Sequence, residues 1–318
     1  MRRFAAALII ATGTVGVASA QIYPTRALRV VVPAAPGGGT DILARLLAPQ
    51  VGELLGQTML VDNRPGGATN IGTEHVARSS ADGYTVLMAS TPHAINATLF
   101  PKLAFDPVKD FAPVTLLATV QTVLVAHPAL PVRDVKGLIA LALRRPGEIA
   151  AGSSAGTSQF LAVELLRTRA GIQILNVPYK GAGAAMNDLV AGHVQLQVNT
   201  LLAAQPFIRA GRLRPLAVCG PRRASALPDV PTVGETVPGF ESAGWYALFG
   251  PSGTPRPAIA KLQETFVKAL NAPATRDRLG AQGVDVMAST PEELGAFLAR
   301  EIPKWGSVIK AANLKADG

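Results

Sequence analysis

Leu28-Arg-Val-Val-Val-Pro33, Ala34-Ala-Pro-Gly-Gly-Gly39 and Thr40-Asp-Ile-Leu-Ala-Arg-Leu-Leu47 read in succession as strand, loop and helix. The first is a β-branched run; beyond the glycines, Leu43, Leu46, Leu47, Val51, Leu54 and Leu55 recur with the period of one helical face. Thr40 is placed to N-cap that helix, Asp41 to complement its dipole and Gly56 to end it. Pro49 falls inside it, where a proline costs about 3 kcal/mol, so a kink is expected there.

The same unit recurs outward from this point. Strands are expected near Met59-Val61, Tyr84-Ala89, Val114-Leu117, Thr122-Val125, Glu148-Ala151, Ile174-Val177, Val194-Asn199 and Leu213-Val218, with helical stretches between most of them. Such alternation predicts α/β layers around mainly parallel sheets, which bind ligands where loops leave the carboxyl ends of the strands. Those loops, residues 36–41, 63–72, 90–96, 152–158 and 179–183, are rich in Gly, Ser, Thr and Asn. Several lead into helices, so free backbone N–H groups and positive dipole ends could converge on an anion. Towards the C-terminus, Thr254-Pro255 reads as an N-cap followed by Pro at the first helical position, with Ile259, Leu262, Phe266 and Leu270 as the buried stripe. Thr290-Pro-Glu-Glu293 is a capping box opening a last helix, broken at Pro303.

Composition narrows the function. The 318 residues are 48% hydrophobic and 16% charged, a globular balance with length for about two domains. The formal charge is +9, but aromatic residues make up only 5% and no long basic block occurs, so a nucleic-acid partner is not expected. One cysteine, Cys219, excludes an internal disulfide framework and reads as a small core residue. His75, His93, His127 and His193 lack metal-ligand spacing, and the Gly37–Gly39 loop has neither dinucleotide nor nucleoside-triphosphate spacing, so no metal or cofactor is expected. Residues 111–132 carry no charge, but Pro113, Gln121, His127, Pro128 and Pro131 argue for a buried strand rather than a membrane span. Met1 to Ala20 has two arginines, an apolar stretch and Ala18-Ser-Ala20, which predicts a signal peptide cleaved before Gln21.

Gly152-Ser-Ser-Ala-Gly156 matches G-x-S-x-G between a strand and a helix, the setting of a hydrolase nucleophile at Ser154. The acid and histidine that should follow reduce to Asp188 and His193, close together at a helix end. The alternative is a loop that donates hydroxyl and amide hydrogen bonds to a ligand. Lys180 can pair with an anionic ligand or be a solvated loop charge, while Trp245 and Tyr246 can pack a domain junction or close over a ligand.

Eight motifs together carry a resemblance: Tyr23-Pro-Thr-Arg26, Val32-Pro-Ala-Ala-Pro-Gly-Gly-Gly-Thr-Asp41, Asp62-Asn-Arg-Pro-Gly66, Asn70-Ile-Gly72, Asp82-Gly-Tyr84, Val177-Pro-Tyr-Lys-Gly181, Leu227-Pro-Asp-Val-Pro-Thr232 and Gly253-Thr-Pro255. In that order they resemble the solute-binding receptors of tripartite tricarboxylate transporters, the Bordetella uptake gene family. The likeness runs from about Tyr23 to Lys310. It implies an α/β, two-domain periplasmic-binding-protein (Venus flytrap) fold, each domain a mainly parallel sheet flanked by helices. Residues 21–122 plus 238–318 would form domain 1 and residues 123–237 domain 2, with hinge strands near Val120-Val125 and Gly244-Phe249.

By the same resemblance the protein is a monomeric periplasmic receptor, not an enzyme, that captures a small organic carboxylate for a membrane permease of a large and a small subunit. Gly37, Gly38, Gly39 and Thr40 from one domain and Ser153, Ser154, Gly156, Thr157 and Ser158 from the other would hold the carboxylate, partly through bridging waters. Asn96, Tyr179, Asn199 and Trp245 would shape the rest of the cleft. Two positions depart from the family pattern: Phe160 stands where relatives commonly have histidine, and Asn199 where they often carry aspartate. An exported serine hydrolase using Ser154 is the alternative reading.

Overall fold

The computed structural model describes residues 23–153, 157–311 and 314. The expected signal peptide and its cleavage site lie outside them. Ten strands form one hydrogen-bonded sheet among the described residues: β1 (Leu28–Val32), β2 (Met59–Asn63), β3 (Thr85–Ser90), β4 (Phe111–Ala126), β5 (Ala150–Ser153), β6 (Leu175–Pro178), β7 (Leu196–Thr200), β8 (Arg214–Val218), β9 (Ala243–Pro251) and β10 (Val284–Val286). The helices are α1 (Gly39–Leu55), α2 (Asn70–Ala77), α3 (Pro92–Leu99), α4 (Val135–Arg144), α5 (Ser158–Ala170), α6 (Ala182–Ala191), α7 (Leu201–Arg209), α8 (Arg256–Asn271), α9 (Pro273–Gly280) and α10 (Pro291–Ala311).

The sheet is two sheets sharing one strand. Up to Gln121, β4 pairs with β9 and β10; from Thr122 onward it pairs with β7 and β8. Outward from this join, β2, β1 and β3 run parallel in the first lobe and β6, β5 and β7 run parallel in the second. Antiparallel pairing is confined to contacts involving β4 or β9. Each lobe covers both faces of its sheet. In the first, Leu43, Leu47, Leu262 and Phe266 pack one face, while Ile95, Leu99, Leu298 and Trp305 pack the other. In the second, Leu138, Leu141, Val163 and Leu166 lie opposite Met186, Leu189, Leu201 and Ala204. This is the α/β two-domain fold of the periplasmic binding proteins. No helix of the described residues is long and apolar enough to cross a membrane.

Several local expectations are corrected. Val114-Leu117 and Thr122-Val125 are not two strands but parts of the sixteen-residue β4, whose register shifts near Pro113 and Leu116 absorb the proline and the bend. The break expected at Pro303 does not occur, since α10 runs through it, and α1 is likewise continuous across Pro49. Both prolines lie on exposed faces, where water can bond the carbonyl each ring leaves without a donor. Thr40 does not cap α1: Gly38 is the N-cap and Thr40 is the second residue of the first turn. Likewise Pro255, not Thr254, precedes α8, and the Thr254 hydroxyl donates to Pro251 O at 2.7 Å. The capping box at the start of α10 is present in both directions, with Thr290 N donating to Glu293 Oε2 at 2.8 Å and Glu293 N to Thr290 Oγ1 at 3.2 Å.

Candidate functional site

A cavity of about 530 Å³ opens where the two lobes meet at the carboxyl ends of their parallel strands. Its floor is formed by the strands that join the lobes, Val120 of β4 and Gly244, Trp245 and Tyr246 of β9. Six helices begin at its wall. The N-cap residues Gly38, Thr69 and Thr91 of α1, α2 and α3 face it from the first lobe, and Thr157, Gly181 and Thr200 of α5, α6 and α7 from the second. At each such end the first-turn N–H groups have no partner within the helix, and the dipole is positive. In α5 and α7 the N-cap threonine occupies one of them, Phe160 N at 3.2 Å and Ala203 N at 3.4 Å. The N-cap side chains of α1, α2, α3 and α6 make no such bond. Among the described residues, Lys180 is the sole charged side chain on the lining.

The loop that opens α1 is held from behind. Asp41, 3% exposed, accepts hydrogen bonds from Gly37 N at 2.9 Å, Arg45 Nε at 2.9 Å and Asn63 Nδ2 at 3.0 Å. Burial alone would raise its carboxyl pKa, but those donors outweigh it and leave the group below the usual carboxylate range. Asn63 also donates to Ala34 O at 3.1 Å, so the loop is tied at both ends. Gly37 has φ +82°, a left-handed conformation natural to glycine. Gly39 packs so closely on the Tyr246 hydroxyl and Thr200 Oγ1 that a Cβ there would overlap both.

Of the residues expected at the site, Gly38, Gly39, Thr40, Thr157, Ser158, Tyr179 and Trp245 line the cavity together. Asn96, Ser153 and Asn199 are buried behind the wall, and Gly37 is exposed beside it. Asn96 donates to Ala68 O and Asn70 Oδ1, both at 2.8 Å, fixing a turn in which Ala68 and Thr69 take left-handed angles. The Ser153 hydroxyl turns away to Asn176, which donates in turn to Glu164. Asn199 is buried and its Oδ1 accepts from Thr200 N at 2.7 Å. Ser154 and Gly156 lie outside the described residues. The lining also takes in the turn at Gly66 to Thr69, Ser90, Thr91 and Thr200, none of them expected as site residues, together with Lys180 and Tyr246, whose roles the sequence leaves open. Most belong to loops whose glycine and hydroxyl content marks them in the sequence; Thr200 is separated from the expected Asn199 by one strand position.

The aromatic groups are fixed rather than free. Trp245 Nε1 donates to buried Glu301 Oε2 at 2.9 Å, an oxygen that also receives Trp305 Nε1 at 2.8 Å. Tyr179 donates to Asp188 Oδ2 at 2.7 Å; desolvation and then this carboxylate push its phenol up to about 12, so it stays protonated. Asp188 and His193, the acid and base a Ser154 hydrolase would need, are 3.4 Å apart, and neither lines the cavity.

The fold and this interdomain cavity define a solute-binding receptor of the periplasmic-binding-protein class. The family model described as the tripartite tricarboxylate transporter family receptor matches residues 43–314, and the chain belongs to that family. It is 37% identical over 322 residues to Protein BugT of Bordetella pertussis, covering 99% of each chain. Among solved structures it resembles a Rhodopseudomonas palustris protein with adipate (37% identity, TM-score 0.89, 92% of this chain and 99% of that one). MatC of the same organism, with bound malate, shows 32% identity and a TM-score of 0.86 over 90% of this chain and 100% of that one.

Proposed function

We propose that the protein is a periplasmic receptor that captures a small organic carboxylate in this cavity and delivers it to a tripartite tricarboxylate-type permease, without catalysing a reaction. The observation that carries the reading is the meeting of six helix N-termini, three from each lobe, around a cavity with one cation and no acid on its described lining. Such a wall favours an anion by dipole and by open N–H donors, and bonding from both lobes favours the closed form. In this reading the lobes are residues 21–122 plus 238–318 and residues 123–237. The amides and hydroxyls of Gly38, Gly39, Thr40, Thr157 and Ser158 bind the carboxylate, assisted by the segment containing Ser154 and Gly156. Tyr179 and Trp245 shape the cavity, and Gly37, Asn96, Ser153 and Asn199 hold its wall in place. Export with cleavage before Gln21 and action as a monomer complete the reading.

The bound acids in the two Rhodopseudomonas structures support carboxylates as the probes to try first. A thermal-shift screen of the exported protein against mono-, di- and tricarboxylates, amino acids and neutral sugars tests the reading. At 100 times its dissociation constant a true ligand adds about 2.7 kcal/mol, which raises the melting point by a few degrees. Stabilisation by sugars and by no carboxylate would sink it.

A further inference from the structure

Lys180 stands apart from every other group on the cavity wall. The other described lining residues offer amides, hydroxyls and apolar surface, and none of them is ionisable at neutral pH. Lys180 has no ion-pair partner among the described residues, although Asp188 is nearby in sequence and is engaged by Tyr179 and His193. Its position is also particular. It precedes Gly181, the N-cap of α6, and Gly181 packs against Ala35 of the opposite lobe so tightly that a Cβ on it would lie 2.9 Å from the Ala35 Cβ. Lys180 is itself exposed and therefore stands at the mouth, beside the seam where the lobes touch, whereas Gly39 and Thr200 lie against Tyr246 of β9.

We propose that the cavity has two anion-attracting poles, and that Lys180 is the specificity-determining residue that selects dianions over monoanions. This rests on the carboxylate reading above. One carboxylate occupies the helix N-termini near the hinge, and the second reaches the mouth and pairs with Lys180 as the α6 dipole adds to the attraction. A monocarboxylate of equal length leaves the ammonium unpaired at a closing seam. The preference arises from a single charge that is partly desolvated on closure, so it weakens with salt.

The test is titration calorimetry of the exported protein with matched pairs: succinate and butyrate, adipate and hexanoate, suberate and octanoate. For at least one pair the dicarboxylate should bind about tenfold more tightly or better. In Lys180→Met the ratio falls to within twofold, chiefly through loss of dicarboxylate affinity, while Lys180→Arg keeps most of it. Raising salt from 20 to 500 mM should shrink the ratio in the unsubstituted protein and leave it unchanged in Lys180→Met. A ratio that survives Lys180→Met, or an equal loss for both members of a pair, overturns the role of Lys180 and leaves the carboxylate reading standing. Failure of every acid to bind the unsubstituted protein overturns both.

Discussion

The loops that face each other across the cavity mouth are built on different principles. In the first lobe, Ala34 to Gly39 is neutral and tied down by the buried Asp41, Asn63 and Arg45. In the second, Tyr179 to Gly181 carries the cavity's one described charge, and its tyrosine is held by the half-exposed Asp188. The contrast separates two jobs. Preformed dipoles are effective only if the backbone is rigid, so one loop is overdetermined by bonds; a charge on a long side chain tolerates looser support.

The largest expected effect falls on the tied loop. Asp41→Ala strips an acceptor from three donors and should cost about 3 kcal/mol of stability, read by urea unfolding. Asp188→Ala should change the unfolding midpoint little; comparable losses would erase the contrast. The first lobe should also be the acid-sensitive one. Burial lowers the His93 imidazole to about 4, although its Nε2 bonds Pro107 O at 2.8 Å, and the unfolded chain titrates near 6.5. A depressed histidine binds its proton in the unfolded state first, so stability is full above 6.5 and falls by about 3 kcal/mol as pH drops to 4. Unfolding measured across that window should flatten in His93→Leu. Asp41, whose carboxyl is also depressed, adds its loss only at lower pH, as the medium falls below the unfolded carboxylate value.

Smaller effects concern the seam between the two loops. A Cβ on Gly183, in the first turn of α6, would lie 2.9 Å from the Pro36 carbonyl oxygen of the other lobe. Alanine ordinarily favours a helix over glycine. Gly183→Ala should therefore leave the unliganded melting point unchanged or higher while weakening carboxylate binding about tenfold by obstructing closure. Unaltered affinity would mean the seam plays no part in capture. The smallest effect belongs to Asn199→Asp. The carboxylate can keep the bond from Thr200 N, yet it sets a negative charge behind the wall, so dicarboxylate affinity should drop a few-fold and the margin over the α-amino analogues should narrow. Calorimetry on both proteins checks this; a widened margin contradicts it.

Much of this architecture is legible in residue order because it is local. A β-branched run, a glycine loop and a 3.6-residue period define β1 and α1, and the Gly-, Ser- and Thr-rich loops that lead into helices mark where the cavity lies, although α1 is capped at Gly38 and not at Thr40. What was not legible depends on partners distant in the chain. Val114-Leu117 and Thr122-Val125 look like two strands until β9 and β10 supply pairing for the residues between them. Pro49 and Pro303 are tolerated because of the face they occupy, which spacing alone does not weigh. Thr200 rather than the expected Asn199 meets the cavity because successive strand residues point to opposite sides, so one position of register decides which side chain lines it.

The shared strand also has a consequence for the order in which the protein can be made. The first lobe's sheet is not contiguous in the chain: β3 has its neighbour in β9, and the α8 and α10 side chains that cover its two faces come later still. The amino-terminal segment therefore emerges with one edge of β3 unpaired and its sheet faces only partly covered, by α1 and α3, until the last quarter of the polypeptide has been synthesised. The second lobe, bounded by β4 and β8, can assemble its own sheet first. A chain arranged in this way stays incompletely folded for most of its synthesis, which suits the export that the proposed function requires.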